Sequence, residues 1–416
     1  MAKIFKASKA VTLVGKTVLL TIDRLDINGR GVAKYNKKPV FISHTFIGEK
    51  VSAKIVEQNS KFLKGKLLSI DKKSKHRITP SCSHFYQCGG CDLQHVSYEQ
   101  QLEFKQDKIT QLFARQNIEA LPWHLPLTDT QWSYRRKARI GVQYNKLGEV
   151  VVGFRHRGTN TLTPIKSCNV LTPSLAEQFL PIKSVLEQIT AVSQPNAVGH
   201  IEMIETKFDG AICVHIVIRQ LVKLSSNAKV LWQKAANENH WCLWLDDGKS
   251  ISPFEEENIQ PQLSYTLNDD SLIHFEPNDF IQVNHHVNKK MVEQAVDWLA
   301  LDKEDEVLDL FCGLGNFSLS IARHVKQLTG VEGVASMVAK ATANTAINNV
   351  DNCQFFQADL NADWLSNSWA KSRYTKVLLD PARAGAFEAC QQIVKLSPNT
   401  ILYVSCEPSS LAKDAS

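Results

Sequence analysis

The chain is 416 residues long, with 44% hydrophobic and 22% charged residues, which is enough for two or three domains that each bury a core. No run of about eighteen apolar residues occurs, so no membrane span is predicted, and residues 1–10 lack the apolar core of a secretory signal, making the cytoplasm the expected compartment. The net charge of +6 is uneven: residues 1–80 hold eighteen Lys+Arg against five Asp+Glu, a net of +13, which leaves −7 for the rest. A basic segment on a mildly acidic body is the footprint of nucleic-acid binding; a solvated basic face is the plainer alternative.

Between residues 11 and 71, five short β-type runs (17–22, 29–31, 39–42, 51–56 and 65–70) are broken by glycines. They predict a small OB-like β-barrel whose interleaved lysines suit a phosphate-tracking surface. A cysteine cluster follows at Cys82, Cys88 and Cys91, then a helical stretch around residues 98–115. A central α+β region runs over 72–274. Within it, Arg135, Arg136, Lys137 and Arg139 follow Tyr134, either as an RNA contact or as an exposed strand edge. From about Phe275 the text alternates β and α regularly, the pattern of a doubly wound parallel sheet over 275–416.

Ten cysteines in a chain with no secretory signal point to metal binding or catalysis rather than a disulfide framework. Cys82-x5-Cys88-x2-Cys91 puts three thiolates on one loop, with Gly89 and Gly90 letting the backbone wrap a metal centre. Cys168 is the best-placed candidate for a fourth ligand. Three clustered ligands plus one distant one favour a [4Fe–4S] cluster over zinc, although His84 and His95 leave a Cys3His zinc site open. Cys213, Cys242, Cys353 and Cys390 have apolar or unpatterned neighbours and read as core thiols.

Glu306–Leu310 reads as a buried strand, 311–316 as a glycine turn and 317–324 as the next helix. Gly313 and Gly315 let the backbone approach a ligand. Glu332, nineteen residues after Gly313, ends the following strand, where a carboxylate accepts from ribose hydroxyls; Asp359 ends a third strand, within reach of an adenine amino group. Ser318 stands where the dinucleotide fingerprint has its third glycine, which fits S-adenosylmethionine better than NAD. Cys312, inside the turn, reads as a packing residue.

Two further apolar runs end in Asp380-Pro381-Ala382-Arg383 and Ser405-Cys406-Glu407-Pro408. A thiol at the carboxyl end of a strand faces the ligand crevice of such a sheet. Pyrimidine C5 becomes nucleophilic only after a thiolate adds to C6, so Cys406 is the candidate nucleophile. Asp380 is placed to hydrogen-bond the base or the cofactor.

The motifs 309–317 (Asp-Leu-Phe-Cys-Gly-Leu-Gly-Asn-Phe), 380–385 (Asp-Pro-Ala-Arg-Ala-Gly) and 403–408 (Tyr-Val-Ser-Cys-Glu-Pro) resemble those of the RNA uracil-C5 methyltransferases. The basic barrel resembles a TRAM domain, and Cys82, Cys88, Cys91 and Cys168 resemble the [4Fe–4S] ligands of the 23S rRNA branch of that family. The resemblance implies a class I methyltransferase domain and cofactor contacts at Gln282, Phe311, Asn316, Glu332, Asp359 and Asp380. It also implies a Cys406 nucleophile, a flipped uridine of 23S ribosomal RNA as substrate, and action as a monomer. The family's proton-abstracting glutamate, and its last strands, lie downstream of the nucleophile strand; the sequence ends at Ser416 and holds neither, so a C-terminally incomplete domain is expected. Glu407 would then be a poor substitute, because neighbouring strand residues face opposite ways. Two other functions compete: a tRNA uracil-C5 methyltransferase, and a catalytically impaired RNA-binding form whose covalent adduct resolves slowly.

Overall fold

The computed structural model describes residues 12–145, 147–192, 196–255 and 261–416; the first ten residues, expected to carry no signal, lie outside the described residues. The chain forms two compact units, residues 1–108 with 154–163, and residues 109–153 with 164–416. Among the described residues no helix is long and apolar enough to cross a membrane.

In the first unit, β1 (Thr17–Thr21), β2 (Arg24–Leu25), β3 (Gly31–Tyr35), β4 (Lys38–Ile42), β5 (Lys50–Gln58) and β6 (Leu63–Lys72) make one sheet in the order β1-β5-β6-β4-β3-β2. Alternation in β1 and β5 sends Val18, Leu20, Val51, Ala53 and Ile55 into the core and leaves Lys50 and Lys54 outside. Four of the five expected β-runs coincide with strands; the run 29–31 does not, since only Gly31 belongs to a strand, as the first residue of β3. The two-residue strand β2 is too short to show a period in sequence. A second small core of Leu25, Phe46, Val96 and Phe104 seats the first turns of α1 (Tyr98–Ala114).

One buried ion pair fastens the sheet to the chain that leaves it. Glu49 has no exposed surface; it accepts from Arg77 Nε (2.6 Å), Arg77 Nη2 (2.8 Å) and the Phe46 and Ser74 amides. Burial works against ionisation of Glu49, but the Arg77 and amide hydrogen bonds outweigh it and hold the carboxyl below its ordinary range.

In the second unit, β7 (Lys137–Tyr144), β8 (Val150–Arg155, its last two residues counted with the first unit), β9 (Leu162–Pro164, of which Pro164 is in this unit), β10 (Val198–Phe208), β11 (Ala211–Gln220), β12 (Trp241–Asp246) and β13 (Ile251–Pro253) form a sheet ordered β13-β12-β11-β10-β7-β8-β9. Its helices are α2 (Pro173–Ala176), α3 (Phe179–Val192) and α4 (Ser226–Asn239), with α3 against α4 and α4 against β12.

The remainder of this unit is a hairpin, β14 (Ser264–Thr266) with β15 (Leu272–His274), helix α5 (His285–Leu299) and an alternating run. The run consists of β16 (Glu306–Leu310), α6 (Ser318–Ala322), β17 (Gln327–Glu332), α7 (Ala335–Ile347), β18 (Cys353–Gln357), β19 (Lys376–Leu379), α8 (Phe387–Leu396), β20 (Thr400–Tyr403) and α9 (Pro408–Asp414). Its five strands are all parallel, in the order β18-β17-β16-β19-β20. Both faces are covered. Val307 and Leu378 join one apolar cluster, while Leu308, Leu310, Val377 and Leu379 join the other, which is why these strands read as continuous apolar text. The strand order reverses between β16 and β19, the switch point where such sheets open a ligand crevice.

Replacing Glu49 by Ala should cost about 3–5 kcal/mol, because Arg77 is left buried and uncompensated. Amide hydrogen exchange of β5 and β6 should then rise by roughly a hundredfold or more. Because the folded-state carboxyl sits below its ordinary range, its stabilisation is present above that range and is lost as pH falls through the lowered value. Exchange that stays at the parental rate in Glu49→Ala would show that the pair does not hold the sheet.

Candidate functional site

Parallel register sets the site. Leu310 pairs with Val331 and Leu379, Glu332 with Gln357, and Leu379 with Tyr403. The residues that follow each strand therefore emerge on one edge: Phe311–Asn316 after β16, Glu332 at the end of β17, Asp359 beyond β18, Asp380 after β19 and Cys406 beyond β20. The link is continuous in hydrogen bonds. Phe311 N donates to Val331 O (2.8 Å), Ala358 N to Glu332 O (3.1 Å), Asp380 N to Leu310 O (3.3 Å) and Val404 N to Leu379 O (2.8 Å).

The turn after β16 is a backbone cradle. Phe311 (φ +62°), Gly313 (φ +55°) and Gly315 (φ +89°) are left-handed, and the space where a Cβ of Gly313 would stand is open. For Phe311 this conformation costs about 1–3 kcal/mol, strain of the kind that gathers at ligand sites. The Glu332 carboxylate accepts from Gly313 N (3.2 Å) and Val334 N (3.0 Å), so it braces the turn while facing the rim. Asp359 lies two residues past the end of β18 rather than on it. It is exposed, with Oδ1 accepting from Asn361 N at 2.9 Å.

Beneath the turn sits Asp309, 1% exposed. Its Oδ2 accepts from Ser318 Oγ and its Oδ1 has no partner. Burial pushes the acid up to about 7; the Ser318 bond opposes this, while Asp380 and Glu332 add to it. Ser318 thus has a task that a third glycine could not perform. Cys312 is buried, and a Cβ on Gly330 would meet its Sγ at 3.1 Å and the Phe355 ring at 2.4 Å, so this thiol is packed against the strand beside it.

Burial pushes Asp380 up to about 6. Cys406 is exposed, three residues beyond β20 and just before α9. Glu407 is not in a strand, contrary to the geometry expected from sequence. It is the N-cap of α9, and its carboxylate accepts from Ser409 N at 3.2 Å.

The second tier of the site carries no signal in the sequence. Arg136 and Lys137 are neither an RNA-facing patch nor an exposed edge; they are 6% and 9% exposed. Lys137 Nζ donates to Pro277 O and Asp279 O, each at 2.7 Å. Arg136 Nε donates to Gln282 O (3.2 Å), Nη1 contacts His285 Nδ1 (3.1 Å), and the guanidinium lies 4.4 Å from the Tyr265 ring centroid. These two cations pin the loop that carries Gln282. Arg135 and Arg139 are the exposed members of the group. Tyr265 OH donates to Asn316 Oδ1 (2.9 Å), and Asn316 and Asn288 exchange amide hydrogen bonds at 2.9 and 3.0 Å. A positively charged run next to an aromatic gives no sequence signal that separates anchoring from RNA contact.

In the first unit, Cys82, Cys88 and Cys91 lie on an irregular loop anchored by the buried ring of Phe85, which packs against His44 and His95 (centroids 5.0 and 5.6 Å). Gly89 N donates to Arg155 O (2.9 Å), and a Cβ there would lie 3.1 Å from that oxygen; Gly90 N donates to Cys88 Sγ at 3.4 Å. His95 is fully buried, with Nε2 at 3.3 Å from Thr45 O. Cys168 belongs to the second unit. Among the described residues, no three His, Cys, Asp or Glu side chains stand as a group able to hold a metal ion.

The profile of the tRNA (Uracil-5-)-methyltransferase family matches residues 97–416, and that of the TRAM domain matches residues 11–68. The 23S rRNA (uracil(1939)-C(5))-methyltransferase RlmD of Colwellia psychrerythraea is 46% identical over 437 residues, covering 100% of this chain and 92% of that protein. The protein of the same name from Psychromonas ingrahamii is 40% identical over 423 residues, covering 100% and 93%. Among solved structures, the Pyrococcus abyssi tRNA (uracil-54, C5)-methyltransferase in complex with S-adenosyl-L-homocysteine is similar with a TM-score of 0.70 and 20% identity, over 96% of this chain and 93% of that one. That likeness concerns the fold. On the profile match from residue 97 to residue 416 and on these full-length relatives, the chain belongs to the RNA uracil-C5 methyltransferase family.

Proposed function

We propose that this protein methylates C5 of one uridine in 23S ribosomal RNA, the position equivalent to 1939 of its relatives, with S-adenosylmethionine as methyl donor. The observation that carries the reading is the convergence on one sheet rim of the open glycine turn, the Asp380 strand end and the exposed Cys406 thiol. The turn has room for the cofactor, since a Cβ at Gly313 or Gly315 meets nothing closer than 3.7 Å. Gln282, Phe311, Asn316, Glu332, Asp359 and Asp380 are assigned to contact it, Asn316 from within its pair with Asn288. The cofactor supplies an electrophilic methyl on a sulfonium.

Cys406 Sγ, as thiolate, forms a bond to C6 of the flipped uracil, and the C5–C6 π pair moves to make an enolate. C5 of that enolate takes the methyl group, and the sulfonium C–S bond breaks with its electrons staying on sulfur. Loss of the C5 proton to a base then returns electrons to the ring and expels Cys406 as thiolate. Asp380, as carboxylate, accepts from the N–H edge of the base and holds it against the thiol.

The barrel at 11–71 is assigned to track RNA phosphates. Lys50, Lys54 and Lys66 stand outside it, and Lys16 and Arg30 lie over the Tyr35 and Phe41 rings at 5.6 and 5.0 Å. To Cys82, Cys88, Cys91 and Cys168, within a central segment of 72–274, we assign a [4Fe–4S] cluster. The cysteine spacing supports this, and the Gly90 amide bonded to Cys88 Sγ suits a ligating thiolate. No catalytic step passes through the cluster. The protein is proposed to act as a monomer in the cytoplasm.

Cys406→Ala should abolish methyl transfer to a 23S rRNA fragment while RNA binding persists; full activity in that variant would refute the mechanism. The same assay with tRNA as competitor decides the substrate, and methylation of tRNA in preference to the rRNA fragment would overturn the assignment. Because burial raises Asp380 to about 6 and its role needs the carboxylate, kcat/KM should climb through about pH 6, and Asp380→Asn should remove that limb along with most of the rate. Anaerobically purified protein should carry about four irons per chain and absorb broadly near ~400 nm. Zinc in place of iron would sink the cluster assignment.

A further inference from the structure

Cys406 lies in the chain between Tyr403 and Asp414, whose side chains are hydrogen-bonded to each other. Tyr403, three residues before it, donates its hydroxyl to Asp414 Oδ2 at 2.7 Å. Asp414, eight residues after it at the end of α9, also accepts from Ala386 N, again at 2.7 Å and through the same oxygen. Ala386 is the N-cap of α8, and its own backbone N–H is taken up by a carboxylate 28 residues away, the bond that the N3 acid makes in a capping box. Ala386 also closes the loop that begins at Asp380. One oxygen therefore gathers the strand before the nucleophile, the helix after it and the far end of the Asp380 loop.

The packing leaves no slack around that oxygen. Gly385 is left-handed (φ +87°), and a Cβ there would stand 2.5 Å from Asp414 Oδ2 and 2.9 Å from Ser410 Cβ. Burial first, then the bond to Asp414 and its charge, push the Tyr403 hydroxyl upward, so it remains a donor across the working pH range. At its other end the Asp380 loop is fixed by Asp380 N on Leu310 O, and β20 is fixed by Val404 N on Leu379 O.

We propose that Asp414 is a positioning residue for methyl transfer: by joining Tyr403 and Ala386 it sets where the Cys406 thiol stands relative to Asp380. The inference rests on the assignment of Cys406 as nucleophile. It does not involve Asp414 touching RNA or cofactor. Its consequence is kinetic, since a displacement of about 1 Å at reacting groups can cost on the order of a hundredfold in rate.

The test uses the full chain with a 23S rRNA fragment bearing 5-fluorouridine at the target. A C5–F bond is not lost as a proton is, so the methylated Cys406 adduct accumulates and its rate of formation can be followed on a denaturing gel. At saturating RNA and S-adenosylmethionine, Asp414→Ala should slow adduct formation by roughly tenfold to a hundredfold. The concentrations of RNA and cofactor that give half the maximal rate should stay at parental values. Asp414→Asn keeps an oxygen that accepts both bonds and should recover most of the rate. Tyr403→Phe, which removes one donor and little volume, should fall between Asn and Ala, and it decides the matter if Asp414→Ala does not fold. Parental rates in Asp414→Ala or in Tyr403→Phe, or an Asn variant as slow as Ala, would overturn the positioning role. If Cys406→Ala itself formed adduct, the assignment of the nucleophile would fail. If Cys406→Ala is inert while Asp414→Ala runs at full rate, only this proposal falls.

Discussion

Parallel pairing of β16 with both β17 and β19 is the constraint from which the site follows. Parallel strands all end on the same side, so each strand delivers its next residue to a common edge. Covering helices bury both faces, which makes the strands apolar throughout and leaves chemistry to the residues just past their ends. Chemically different groups are thereby brought together without sequence proximity: a left-handed Phe311, a braced Glu332, a half-buried Asp380 and an exposed Cys406.

The electrostatics of that edge are graded by depth. Asp309, deepest, is pushed furthest from ordinary carboxylate behaviour, and it is the one held by a hydroxyl, from Ser318. Asp380, nearer the crevice, is shifted less and is free to serve as an acceptor near neutrality. The Glu332 carboxylate accepts from two amides of the turns on either side of it. Burial thus shifts Asp309 and Asp380, two acids close to one rim, to different degrees.

A supporting tier built from elsewhere in the chain holds this edge still. Lys137 and Arg136 fasten the loop of Gln282, Tyr265 and Asn288 fix Asn316, and Asp414 draws the Cys406 and Asp380 segments together. Most of these ties are hydrogen bonds across a large separation in sequence. Such ties convert the mobility of loop residues into the fixed geometry that a two-stage covalent reaction needs.

The sequence by itself determined the β-rich basic barrel, the doubly wound sheet, the order of its glycine turn and strand-end residues, and the family to which these motifs belong. Local patterns suffice there, because apolar periodicity, glycine placement and short motifs each reflect a local physical demand. Tertiary structure alone decided that Arg136 and Lys137 are buried anchors, that Ser318 serves Asp309, that Glu407 caps a helix instead of lying in a strand, and that Asp414 ties three segments. A side chain's partner is chosen by the packing of distant elements. A basic residue before an apolar run reads the same in sequence whether it faces phosphate or a buried carbonyl, and only the fold brings the partner within about 3 Å.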